Sequence, residues 1–205
     1  MERREAIKSL TLALGYSLAP ATLSGLVTSC AKENTETRQP VFFTSKEMYA
    51  VQQLAEVFLP KTDIPGATDL NIHVFIDEYM AAIPNQKDRD KCKVGVEAWI
   101  SSFEKETEAQ IIGSELSTFT KNVESYFKID EKKQEEVKAL IRGEEPASEK
   151  ESYFIYSFLF TIKRLSILGY YASEEIGENV LSYLPVPGGY KGCIPVEEVG
   201  NAWSL

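Results

Sequence analysis

The side chains that could do chemistry are few and mostly acidic. The 205-residue chain has one histidine, His73, and three cysteines, Cys30, Cys92 and Cys193. A single imidazole supplies neither a histidine metal site nor a Ser/His/Asp relay, because both need converging partners. His73 falls within an apolar-striped segment and reads as a structural or surface residue. No Cys-x-x-Cys-His occurs, which excludes covalent c-type haem in this chain. Neither Gly-x-Gly-x-x-Gly after a strand nor Gly-x-x-x-x-Gly-Lys is present, so a nucleotide loop is not expected. The chain is therefore expected to carry no flavin, haem or transition metal of its own. Carboxylates are the one plentiful type, and Asp63, Asp69, Asp77 and Glu78 lie close in sequence. Two facing carboxylates can hydrolyse a glycoside when a cleft sets their separation. The plainer reading makes Asp69 a helix cap and leaves the other three on solvated faces.

The elements that would position these groups are helices. Thr44-Ser45-Lys46-Glu47 is a capping-box pattern, and Val51, Leu54, Ala55 and Phe58 recur behind it at helical spacing up to Pro60. Asp69 is placed to cap a second helix whose stripe is Ile72, Phe75, Ile76, Tyr79, Met80 and Ile83. A third is expected over Arg89 to Phe103, facing inward with Cys92, Val96, Trp99, Ile100 and Phe103. Shorter ones follow over Leu116 to Phe127 and Glu131 to Arg142, the latter capped by Asp130 and closed by Gly143. A second capping-box pattern, Ser148 to Glu151, opens the most apolar helix, which ends near Tyr171. A helix apolar on most faces is central to a core or covered by a partner. Ser173 caps one more short helix before Tyr183. Leu184 to Pro195, with three prolines and three glycines, cannot be regular helix. The expected fold class is mostly α: a single compact helical domain over 44–205 with an irregular Pro/Gly-rich C-terminal segment.

The first thirty residues are of another kind. Arg3, Arg4 and Lys8 precede an apolar run from Leu10 to Val27 that Gly15, Pro20 and Gly25 interrupt. That layout is an export signal over 1–29 and a poor spanning helix. Leu26-Val27-Thr28-Ser29-Cys30 looks like a lipobox, in which Cys30 receives the lipid. Residues 30–43 then read as lipidated cysteine and polar tether. Arg3-Arg4-Glu5-Ala6-Ile7-Lys8 resembles a twin-arginine signal, a class that carries folded cargo. Removing the signal takes away Arg3, Arg4 and Lys8 against Glu2 and Glu5, and moves the formal charge from −9 to −10. Such a domain repels phosphate backbones, which excludes nucleic acid as partner, and offers no basic patch to anionic lipid. The expected location is the cell envelope, lipid-anchored on the periplasmic face. Outside the cytoplasm Cys92 and Cys193 could pair, stay free, or one could bond a partner chain.

Three stretches carry a family resemblance: the Arg3 to Lys8 start, the loop Leu59-Pro60-Lys61-Thr62-Asp63-Ile64-Pro65-Gly66-Ala67, and a closing signature. That signature is Gly169-Tyr170-Tyr171-Ala172-Ser173-Glu174-Glu175-Ile176-Gly177 with Tyr183 and Pro187-Gly188-Gly189-Tyr190-Lys191-Gly192-Cys193. Together they resemble the gluconate 2-dehydrogenase subunit 3 family, the small subunit of membrane-bound sugar dehydrogenases. The resemblance implies a non-catalytic accessory subunit that supports folding, export and membrane association of a large flavin-dependent dehydrogenase of the glucose-methanol-choline type. It implies FAD in that partner, and haem c in a cytochrome c subunit where one is present. Sugars associated with such complexes include gluconate, glucose, sorbitol and glucosides. On this reading the C-terminal half meets the catalytic subunit through Tyr170, Tyr171 and Tyr190, with Cys193 in reach of Cys92 or of a partner cysteine. The other readings are a free-standing glycan- or protein-binding lipoprotein and a carboxylate-based hydrolase.

Overall fold

A computed structural model describes residues 39–143, 150–183, 188 and 193–203. The expected export signal, Cys30 and the first part of the tether lie outside the described residues, as do Ser148 and most of the Pro/Gly-rich segment. The fold is mostly helical. Eight helices are described: α1 (Ser45–Phe58), α2 (Ile72–Ala82), α3 (Gln86–Thr107), α4 (Leu116–Phe127), α5 (Glu131–Arg142), α6 (Lys150–Tyr171), α7 (Glu174–Asn179) and α8 (Val196–Val199). Among the described residues the only strand-like pairing is a single parallel bridge between Ser182 and Trp203.

Local signals explain several helix ends. The Thr44 hydroxyl accepts from the Glu47 amide, and the Glu47 carboxylate accepts from the Thr44 amide at 2.7 Å, closing the capping box that opens α1. Asp130 accepts from the Lys133 amide at 2.8 Å at the start of α5, and Gly143, at φ +77°, ends it. Two helices differ at their boundaries from the sequence reading, and α3 also runs one turn past Phe103, to Thr107. Helix α2 is not capped by Asp69: its N-cap is Asn71, in left-handed geometry at φ +52° and without a side-chain bond. Tight turns from Gly66 to Asn71 bring the chain to the helix, and Asp69 lies inside them with its carboxylate turned back to the loop. Helix α3 begins at Gln86, one turn before Arg89, because Asn85 caps it by accepting from the Lys87 amide. That first turn is polar and largely exposed, so hydrophobic periodicity carries no trace of it.

Helix α6 is the hub, packing against α1, α2, α3, α5 and α7. Its closest approach is to α3. A Cβ on Gly95 would sit 2.7 Å from both the Phe154 carbonyl oxygen and the Phe158 Cβ, so only glycine fits that crossing. Around it Trp99, Phe103, Phe119 and Phe158 are fully buried, with Phe103 and Phe119 stacked at 4.7 Å between centroids. The indole nitrogen of Trp99 donates to Asn122 at 3.1 Å, and Asn122 in turn donates to Glu106 at 2.8 Å. The buried polar ends are thus satisfied inside an aromatic core.

The N-terminal edge is fixed by one carboxylate. Asp77 on α2 is 2 % exposed and accepts three consecutive backbone amides, from Val41 at 2.6 Å, Phe42 at 3.0 Å and Phe43 at 2.8 Å. Lys93 on α3 closes the other side, pairing with the buried Glu47 at 2.6 Å and lying over the Phe42 and Phe43 rings. Residues 41–43, expected to be part of a polar tether, are thus held against α2. Asp77→Ala should leave three amides without their acceptor and cost about 3 kcal/mol. Urea denaturation checks this, and an unchanged midpoint would show that the clamp adds no stability.

Candidate functional site

The two described stretches that carry the resemblance meet in space. The loop between α1 and α2 is braced from below by Glu56 on α1, whose two carboxylate oxygens accept the Lys61 amide at 3.1 Å and the Thr68 amide at 2.9 Å. Asp69 braces it from the far side, accepting the Gly66 amide at 3.0 Å and pairing with the Lys61 ammonium at 3.0 Å. The Gly66 amide first, and Lys61 next, hold the Asp69 carboxyl below its usual range. A Cβ on Gly66 would come within 2.7 Å of the Lys61 backbone nitrogen, so the loop closes on itself only with glycine there. From α6 the Tyr170 hydroxyl donates to the Pro65 carbonyl oxygen at 2.8 Å, across 105 residues of sequence. Next to it Gly169 admits the Phe75 ring, which a Cβ would meet at 2.5 Å. Lys61, Thr62, Asp63 and Ile64 are exposed at the tip of this braced loop. The sequence reading did not find Glu56, Gly66 or Gly95 as constraints, because backbone acceptors and missing Cβ atoms leave no periodic signal.

The four carboxylates weighed against a hydrolytic role are dispersed to other work or to the surface. Asp77 was expected on a solvated face and is buried, its oxygens filled by backbone amides. Asp69 is held by Gly66 and Lys61, and Asp63 and Glu78 are exposed. Among the described residues no three His, Cys, Asp or Glu side chains are grouped to hold a metal ion. No described helix is long and apolar enough to cross a membrane. Arg3, Arg4, Cys30 and Tyr190 lie outside the described residues. Cys92 is buried and Cys193 exposed, and both are free thiols. Burial pushes the Cys92 thiol up to about 12, so it stays protonated and unreactive at neutral pH.

Of the aromatic anchors expected to meet a partner, Tyr170 is turned inward, with its hydroxyl on Pro65, while Tyr171 is exposed. The exposed apolar residues on the C-terminal half of α6 are Phe160, Ile167, Leu168 and Tyr171. The sequence left this helix either central to the core or covered by a partner, because a nearly continuous apolar run does not tell which face is outermost.

Tyr170→Phe should remove one long-range hydrogen bond and cost about 1 kcal/mol, with the ring still buried. Thermal denaturation checks it, and a loss no larger than that of Tyr171→Phe would refute the brace. His73, partly buried on α2 with Nδ1 lacking a partner, is held below its ordinary 6.5 by burial, with Asp77 pulling it back up. The unfolded chain takes up this proton first, so His73 lowers stability as pH falls through about 6.5 and adds nothing above it. Denaturation midpoints between pH 7.5 and 5.5 should therefore fall less steeply in His73→Gln than in the parent; equal slopes would contradict this.

The model of the family described as gluconate 2-dehydrogenase subunit 3 matches residues 45–188. Comparison with curated proteins and with solved structures gave no match. The matched span opens at the first turn of α1, takes in the braced loop, the α3–α6 crossing and the Tyr170 contact, and ends at Gly188. With well over half of its length covered in this way, the chain belongs to the gluconate 2-dehydrogenase subunit 3 family.

Proposed function

We propose that this chain is an exported, lipid-anchored, non-catalytic accessory subunit that supports folding, export and membrane association of a flavin-dependent sugar dehydrogenase of the glucose-methanol-choline type. The observation that carries the reading is membership of a family named as a subunit of a dehydrogenase. The use of polar groups supports it. Asp77, Glu56, Asp69 and the Glu47–Lys93 pair all hold backbone or each other, which suits a scaffold more than a reaction centre. The chemistry is assigned to the partner, where FAD accepts a hydride from the sugar and haem c in a cytochrome subunit receives electrons where one is present. The twin-arginine pair Arg3-Arg4 would serve the folded pair of chains together, and lipid on Cys30 would hold the complex at the periplasmic face.

The test is purification of the full-length chain from solubilised membranes of cells that make it. Recovery of a large flavoprotein, seen by its visible flavin absorbance, is the expected result. A chain recovered alone, without flavin, contradicts the accessory role. Cys30→Ser should move the complex from membrane to soluble fraction without breaking it, and retention on the membrane contradicts the lipid anchor. Replacing Arg3 and Arg4 with Lys should leave both chains in the cytoplasm, while normal export would assign the general secretory route.

A further inference from the structure

The C-terminal half of α6 presents a row at helical spacing: Phe160, Arg164, Ile167, Leu168 and Tyr171. These positions repeat at three and four residues and share one face over about 16 Å of helix. The four apolar members are each 36 to 41 % exposed. At its N-terminal end the row runs into a groove of about 240 Å³, lined by Phe160 with Phe127, Val137 and Ile141. Such a groove takes one bulky apolar side chain, the kind of anchor around which interface energy concentrates. Lys163, beside the row, is engaged over the Phe127 ring at 4.9 Å. Arg164, in the middle of the row, is exposed and makes no ion pair or hydrogen bond among the described residues. In a chain of net charge −9, an unengaged guanidinium set between apolar side chains is out of keeping with its surroundings.

That charge decides between occupants. A second copy packed on the same row would bring Arg164 near its own counterpart about a two-fold axis, with no acid in the row to offset it. Two acidic domains would also repel at long range. An anionic lipid surface would meet Glu174 and Glu175 of α7, directly beyond Tyr171. A heterologous polypeptide with an apolar helix and one carboxylate opposite Arg164 satisfies both features, since a desolvated carboxylate is well matched by a guanidinium fork. We infer that the row from Phe160 to Tyr171 is the docking surface for the catalytic dehydrogenase subunit, which inserts a bulky apolar residue beside Phe160 and places an aspartate or glutamate against Arg164. This rests on the accessory-subunit reading and supplies the contact for it.

The test uses the full-length chain made with its partner and isolated from solubilised membranes, with flavin per mole of chain as readout. Ile167→Glu with Leu168→Glu should lower recovered flavin about tenfold or more, and Arg164→Glu about tenfold, by placing a carboxylate against a carboxylate. Val94→Glu, at an exposed apolar site on α3, should leave recovery unchanged. Recovery within about twofold of the parent for both row variants would overturn the inference while the parent's own flavin upheld the accessory role. A parent that brings down no flavoprotein defeats the accessory role and this inference with it. Three measurements on the isolated Cys30→Ser chain exclude the other occupants. Thermal midpoints should be equal with and without the two glutamates, and a drop would mean that the chain's own residues cover the row. Sedimentation should give a monomer, whereas a dimer abolished by the glutamates would assign the row to a second copy. Flotation with vesicles of phosphatidylethanolamine and phosphatidylglycerol should leave the chain behind, and row-dependent binding would assign it to the bilayer.

Discussion

The structure depends on how closely α3 and α6 cross. Both helices are 22 residues long, and Gly95 lets the backbone of one lie against Phe154 and Phe158 of the other. That approach sets where Trp99 and Phe103 fall relative to Phe158, and so where Phe119 of α4 can stack. Dense packing of this kind adjusts poorly to added volume. Helices α1, α2, α5 and α7 then find α6 already placed and cover it in turn. The face left over is set by the same crossing: α6 has its inner side on α3 and cannot turn Phe160, Ile167 or Leu168 inward without moving Phe158 out.

A second constraint holds the loop and its neighbours. Glu56, Asp69 and Tyr170 come from α1, the turn before α2, and the end of α6, and all three bond the backbone of one short loop. Side-chain bonds to backbone of this sort fix conformation more than they add stability, since each trades a bond with water for one within the chain. They also keep the end of α6 aligned with the start of α2. The inner contacts of Gly169 and Tyr170 and the outward direction of Tyr171 are consequences of one alignment.

The helical fold was legible because apolar stripes and capping residues are local. Thr44 with Glu47, and Asp130 with Gly143, act within four residues or at a single helix end, and each appears where the sequence put it. What was not legible acts at a distance or through absence. Asp77 reads as one more polar residue on an amphipathic helix until residues 34 to 36 positions earlier are seen to fold over it. Tyr170 and Tyr171 are identical in type, and only Pro65, 105 residues away, distinguishes the buried ring from the exposed one. Asp69 had the right chemistry for a cap, but two residues of turn separate it from the helix start. The resemblance held over the matched span because it did not need those contacts: the loop and the end of α6 stand in the sequence whether or not their meeting is foreseen.

The Asp77 clamp has a mechanical consequence. Tension arriving along the chain from before Val41 reaches the domain at three adjacent amides that share one carboxylate. The three bonds converge on a single group, so the load passes to one buried side chain. The strain is also delivered to the middle of α2, a helix packed on α1 and α6, so the first turn of α1 is spared. Pulled from its N-terminal side, such a domain would be gripped at its interior and would not fray from its edge.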